Sequence, residues 1–130
     1  MQMTRTHSLG DLQLAIMGIL WRRTEATVSA VHAALLEERG LAPTTIATML
    51  VKMEKKGIVD HRTEGRKFVY RPTVSEQTVR RSMVGELTHR LFSGDPAALV
   101  SHLLSEQEIE STDLAELKRR VAEHERKGGV

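Results

Sequence analysis

The strongest constraint on the fold is an abrupt change in the spacing of apolar residues at Gly57. Before this glycine, Ile46, Leu50 and Met53 recur at the spacing of one buried helix face. After it, the aromatic residues of the segment 67–71 stand two positions apart, as on one face of a strand. A helix that ends at a glycine and leads directly into a β-hairpin fits few small folds.

Two more helices precede this pair of elements. Apolar spacing predicts a helix over residues 11–23 and a second one from Val28, with Thr27 as its N-cap and Gly40 as its C-terminal stop. The third helix begins at Pro43, a residue that suits the first helical position. Two strand-like runs around Gly65 complete the hairpin. The order of three helices and a hairpin is that of a winged helix-turn-helix domain, which we assign to residues 8–73.

The remaining predicted elements, over residues 74–126, are all helical. These amphipathic helices have no sheet to bury against, so we expect a second copy of the chain to complete their core. The fold class is therefore mainly α with a small β-hairpin, a winged-helix domain followed by C-terminal dimerisation helices. The predicted dimer contacts are apolar residues at helical spacing: Val79, Met83, Leu87, Leu91, Leu99, Val100, Leu103, Leu104, Leu114, Leu117 and Val121.

Charge is distributed unevenly between the two halves. Residues 1–72 hold eleven Lys and Arg against seven Asp and Glu, whereas residues 73–130 hold eight against ten. A basic first half and a mildly acidic second half favour a polyanionic partner for the first half alone. Because the imbalance is modest, chance is the competing explanation.

The outer face of the third helix has the chemistry of a DNA-reading surface. Small hydroxyl and methyl groups with two lysines can contact base edges and phosphates in a major groove. An ordinary solvated helix face is the alternative, and Val51 argues against it, because an apolar side chain there has no core to join. The residues predicted to bind DNA on this helix are Thr44, Thr45, Ala47, Thr48, Val51, Lys52 and Lys55.

The hairpin carries four basic residues within ten positions, Arg62, Arg66, Lys67 and Arg71. Arg66 and Lys67 lie near its tip, where they are predicted to contact the phosphate backbone or the minor groove. Charge that protects an exposed strand edge from aggregation is a compatible alternative.

Several kinds of chemistry are not predicted. The absence of cysteine excludes disulfides and thiolate metal sites. The six histidines form no metal-ligand motif, and neither a phosphate-cradling glycine loop nor a nucleophile elbow occurs, so we expect no enzyme, no metal and no cofactor. No apolar run could cross a membrane and residues 1–10 lack a signal-peptide core, so a cytoplasmic protein is expected.

An ordered set of segments resembles the BlaI/MecI/CopY family of bacterial repressors. It spans nearly the whole chain: residues 9–11, 16–21, 31–35, 42–50, 55–57, 64–70, 92–95, 99–100 and 113–117. The resemblance implies a homodimer on a dyad operator, typically with TACA/TGTA half-sites, in which Thr44, Thr45, Ala47 and Thr48 face the groove. Several relatives carry a basic residue where Thr44 or Ala47 stands here.

The resemblance also bears on how repression ends. BlaI and MecI types are cleaved at an Asn-Phe pair after a membrane sensor-protease detects a β-lactam, and His102 and Leu103 occupy that place here. A cysteine metal motif of the CopY type is excluded by the composition. We therefore predict a repressor of a β-lactam-resistance or related stress operon, with its recognition helix at about 43–56 and its wing at about 58–71. The alternative is a winged-helix module that binds another protein and no specific DNA sequence.

Overall fold

The computed structural model describes residues 9–106 and 109–128. Residues 1–8 lie outside the described part. They include the expected start of the winged-helix domain and most of the segment 1–10, in which no signal-peptide core is predicted. The elements are α1 (Asp11–Arg23), β1 (Ala26–Thr27), α2 (Val28–Arg39), α3 (Pro43–Lys55), β2 (Val59–Glu64), β3 (Lys67–Pro72), α4 (Glu76–Phe92), α5 (Pro96–Ser105) and α6 (Ser111–Gly128). The chain divides into two compact units, the first ending at Glu86 and the second beginning at Leu87.

Local capping explains where the first helices begin and end. Thr27 Oγ1 accepts a hydrogen bond from the Ala30 N–H at 3.1 Å, so the predicted N-cap of α2 is confirmed. Gly40 ends α2 in the left-handed conformation with φ 60°, and its N–H donates to the Leu36 carbonyl. Pro43 is the first residue of α3, a position that suits proline because the N–H group it lacks would have no partner within the helix there.

The sheet has three antiparallel strands in the order β1-β3-β2, one strand more than the sequence predicts. In the hairpin, Glu64 pairs with Lys67 across a two-residue turn. The additional strand, β1, pairs Ala26 with Tyr70 and Thr27 with Val69, at a place where the sequence predicts no strand. A strand of two residues is too short to show an alternating pattern in the sequence. It is defined only by its pairing with β3.

The core of the first unit is formed by α1, α2, the inner face of α3, the sheet and the first part of α4. Its completely buried side chains are Ile16, Met17, Leu20, Val31, Ile46, Leu50, Met53, Ile58, Val59, Tyr70 and Val79. Trp21 packs against this core, and its Nε1–H donates to the Val74 carbonyl at 2.9 Å. The first unit therefore runs beyond residue 73 and includes the first part of α4.

The second unit is helical, and its apolar side chains are poorly covered. Asp95 caps α5, with its Oδ1 accepting a hydrogen bond from the Ala97 N–H at 3.0 Å. Among the described residues from 87 onward, no apolar side chain is buried. None of the helices in the described ranges is both long and apolar enough to cross a membrane.

Candidate nucleic-acid interface

Helix α3 has one buried face and one face directed to solvent. Ile46, Leu50 and Met53 are buried, which fixes the rotation of the helix about its axis. All the α3 residues predicted to bind DNA are accessible. Thr44, Thr45, Thr48, Lys52 and Lys55 are exposed, Val51 is 46% exposed, and Ala47 is half-buried.

Gln13 of α1 contacts the middle of α3 and Lys56, the residue that follows the helix. The Gln13 side chain donates from Nε2 to Met49 Sδ at 3.4 Å and accepts at Oε1 from Lys56 Nζ at 3.0 Å. At the other end of α3, a ring nitrogen of His32 in α2 lies 2.9 Å from the Leu41 carbonyl. The outer face of α3 is therefore presented by a helix that both preceding helices anchor.

Two of the four basic residues of the hairpin are matched by acids. Arg62 contacts Glu25 at 2.6 Å and Glu64 at 2.9 Å, and Arg71 contacts Asp60 at 2.7 Å. Hydrogen bonds from these guanidinium groups lower the pKa of Glu25 and of Asp60 below their usual values. The charges of Arg62 and Arg71 are thus largely balanced locally.

The other two, Arg66 and Lys67, are exposed at the tip of the hairpin, and we call them the tip cations. Within the described ranges neither forms an ion pair. With Phe68 they border a groove of about 280 Å³, whose opposite side is Thr27, Val28 and Ser29 at the start of α2. The positive end of a helix dipole and two free cations thus share one groove, a combination that favours an anion. Sequence reasoning missed this side of the groove because it depends on β1 pairing with β3.

A second contact that the sequence did not reveal joins α3 to the hairpin. Glu54 Oε1 lies 2.7 Å from His61 Nδ1, and the His61 ring stacks on Phe68. Tyr70 lies beside them, and its pKa is raised by burial and by the nearby Glu54 carboxylate.

The predicted dimer contacts differ widely in accessibility. Leu87, Leu91, Val100, Leu104 and Val121 are exposed, and Leu91 reaches 69%. Leu99, Leu103, Leu114 and Leu117 are half-buried. Val79, however, is only 1% exposed in the core of the first unit, and Met83 packs against that core. The sequence assigned these two to the interface because the apolar stripe of α4 continues through them, yet their surface is used within the chain.

The predicted cleavage pair lies inside a single helix, α5. His102 is exposed and Leu103 half-buried, and the His102 ring packs near Phe92 with centroids 5.6 Å apart. The His102 carbonyl accepts two hydrogen bonds, from the Glu106 N–H at 3.0 Å and from Ser105 Oγ at 3.2 Å. No group of three or more metal-ligating side chains occurs in the part of the chain that the structure describes.

Comparison with known proteins adds a consistent set of similarities. A family model described as penicillinase repressor matches residues 9–123. The penicillinase repressor of Bacillus licheniformis is 27% identical over 122 residues, which are 94% of this chain and 95% of that protein. The transcriptional regulator BlaI of Mycobacterium tuberculosis (strain ATCC 25618 / H37Rv) is 36% identical over 125 residues, covering 95% of this chain and 89% of the regulator.

Among solved structures, the chain is similar to the solution structure of the DNA-binding domain of the repressor BlaI. The match has a TM-score of 0.50 and 34% sequence identity, and it covers 57% of this chain and 90% of that domain. The similarity therefore extends from the sequence to the fold that carries the proposed DNA-reading face.

Proposed function

Because the chain belongs to the penicillinase repressor family, whose members are DNA-binding transcriptional repressors and not enzymes, we propose that it represses transcription as a homodimer on a dyad operator. Family membership confirms the resemblance predicted from the sequence, and the winged-helix fold class is confirmed with it. The observation that carries the proposal is the exposed, non-acidic face of α3, together with two exposed cations at the tip of the wing that form no ion pair with any described residue.

In this proposal α3 enters the major groove and the wing contacts the backbone beside it. The hydroxyl groups of Thr44, Thr45 and Thr48 hydrogen-bond to base edges or phosphates, and the methyl groups of Ala47 and Val51 meet thymine methyls. Lys52, Lys55 and the tip cations neutralise phosphates. Accessibility supports these roles, since each of the nine side chains is exposed or half-buried.

The dimer forms through the C-terminal helices. Exposed apolar side chains such as Leu91 and Val121 are costly on an isolated chain, and a second copy would cover them. The proposed contacts are Leu87, Leu91, Leu99, Val100, Leu103, Leu104, Leu114, Leu117 and Val121. Val79 and Met83 are left out because they pack in the first unit.

The regulated genes belong to a β-lactam-resistance or related stress operon, as the names of the penicillinase repressor and BlaI suggest for those proteins. The protein acts in the cytoplasm, where bacterial operators lie. Repression ends when a membrane sensor-protease pathway leads to cleavage between His102 and Leu103. No cofactor is required for any of these steps.

A selection from genomic DNA tests the proposal directly. Purified protein is mixed with sheared DNA of its own genome at near-physiological salt, and the bound fragments are sequenced. We expect a dyad motif upstream of a few genes, with TACA/TGTA half-sites as the specific expectation. Recovery of random fragments, or of none, would contradict the repressor and favour a winged-helix module that binds another protein.

A further inference from the structure

We propose that Glu54 and His61 form a positioning pair, which holds the wing against the recognition helix α3 so that the tip cations reach phosphates while α3 occupies the groove. This inference rests on the proposed function, since it concerns how two parts of one DNA-binding surface stay in register. Neither residue needs to touch DNA for this role.

Glu54 and His61 are joined by a short hydrogen bond. Glu54 Oε1 and His61 Nδ1 are 2.7 Å apart, a short distance for a bond between nitrogen and oxygen. An ionised carboxylate can only accept, so the Nδ1 atom carries the proton and donates it. The Glu54 side chain is 36% exposed and the His61 side chain is 27% exposed. The bond is therefore partly shielded from water and persists better than a fully solvated pair.

Aromatic contacts connect His61 to the tip of the wing. The His61 ring stacks on Phe68 with centroids 4.2 Å apart and 22° between the planes. It also contacts Tyr70, which is buried and anchors the base of the hairpin. Phe68 directly follows Lys67 in β3. A continuous series of contacts thus runs from α3 through His61 and Phe68 to the tip cations.

The bond between Glu54 and His61 is the side-chain hydrogen bond that joins the recognition helix to the wing in the described part of the chain. In the described ranges, no other side-chain hydrogen bond joins α3 to β2 or β3. The ion pair of Arg62 with Glu25 holds the wing to the segment before β1, not to the recognition helix. The bond between Glu54 and His61 also explains the presence of a carboxylate on a helix that approaches phosphates, because this carboxylate is hydrogen-bonded to the wing.

A double-mutant cycle on operator fragments from the genomic selection tests the inference. His61→Phe keeps an aromatic ring for stacking and removes the donor, and the second change is Arg66→Gln with Lys67→Gln. We expect His61→Phe to weaken binding about three- to tenfold, the range of one lost hydrogen bond. In the variant without tip cations, His61→Phe should alter affinity less than about twofold, because the cations that His61 positions are no longer present.

The salt dependence of binding separates positioning from a general loss of stability. We expect His61→Phe to reduce the slope of log affinity against log salt toward that of the variant without tip cations. His89→Phe, a matched change at an exposed histidine of α4, should leave both affinity and slope unchanged. Thermal unfolding is recorded for every variant. Should His61→Phe fail to fold, His61→Leu removes the same donor without changing the carboxylate of Glu54 and takes its place in the cycle.

The outcomes are distinct. Equal losses of affinity in both backgrounds, with an unchanged salt slope, would show that His61 only stabilises the domain and would overturn the inference while leaving the proposed function in place. Failure of the unmodified protein to bind any DNA would overturn both.

Discussion

The salt dependence of DNA binding reports how many cations contact phosphates, and the proposed DNA-binding surface predicts that number. Each chain offers Lys52, Lys55, Arg66 and Lys67 on the proposed surface. Arg62 and Arg71 are not counted, because carboxylates 2.6 and 2.7 Å away already balance them. The proposed dimer would therefore neutralise about eight phosphates, and the slope of log affinity against log salt is expected to be about −7.

The perturbation is removal of the tip cations by Arg66→Gln and Lys67→Gln. About four phosphate contacts then remain per dimer, so the slope should fall to about −4. Between 50 and 200 mM salt, we expect the unmodified dimer to lose affinity about 10⁴-fold and the variant only about 10²-fold. Fluorescence anisotropy with a labelled operator over a series of salt concentrations measures both slopes.

Arg71→Gln is the matched control, since it removes one positive charge from the same hairpin. Its charge is already balanced by Asp60, so the slope should stay within about one unit of the original value. If removal of the tip cations leaves the slope unchanged, or if Arg71→Gln lowers it equally, the reasoning from local ion pairing is refuted.

Three further expectations follow from the positions of single side chains. Thr48→Glu should weaken operator binding by about 100-fold or more while the dimer persists in sedimentation, because a carboxylate on the reading face opposes phosphates; unchanged binding would remove α3 from this role. Leu87→Asp combined with Leu103→Asp should give monomers in sedimentation that bind DNA weakly, since the second half-site loses its effective concentration; a stable dimer would refute the interface. Val79→Ala should lower the free energy of unfolding by about 2 kcal/mol without changing the dimer, because it opens a cavity in the first unit; denaturant titration measures the loss, and dissociation without destabilisation would contradict its place in the core.

The two faces of α3 could be predicted from the sequence because helical spacing is a local property. The spacing of Ile46, Leu50 and Met53 fixes the inner face, and the outer face follows from it. The caps at Thr27 and Gly40 were predictable for the same reason, since each acts within a few residues of its own position.

Features that depend on distant partners were not predictable. The sequence gives no sign that Arg62 is paired, because its main partner, Glu25, lies 37 positions away in the chain. Val79 belongs to an apolar stripe that continues along α4, and spacing alone cannot tell which part of such a stripe packs within its own chain. The link between Glu54 and His61 likewise exists only because the hairpin folds back beside α3.

The carbonyl of His102 has a consequence for the lifetime of the repressor. A protease attacks a carbonyl carbon in extended backbone. The His102 carbonyl is instead helical, and its oxygen accepts hydrogen bonds from Glu106 and Ser105. Cleavage at the proposed bond therefore requires α5 to unwind locally, and its rate is limited by how often that opening occurs. The stability of this ten-residue helix would then determine how long repression persists after the signal arrives.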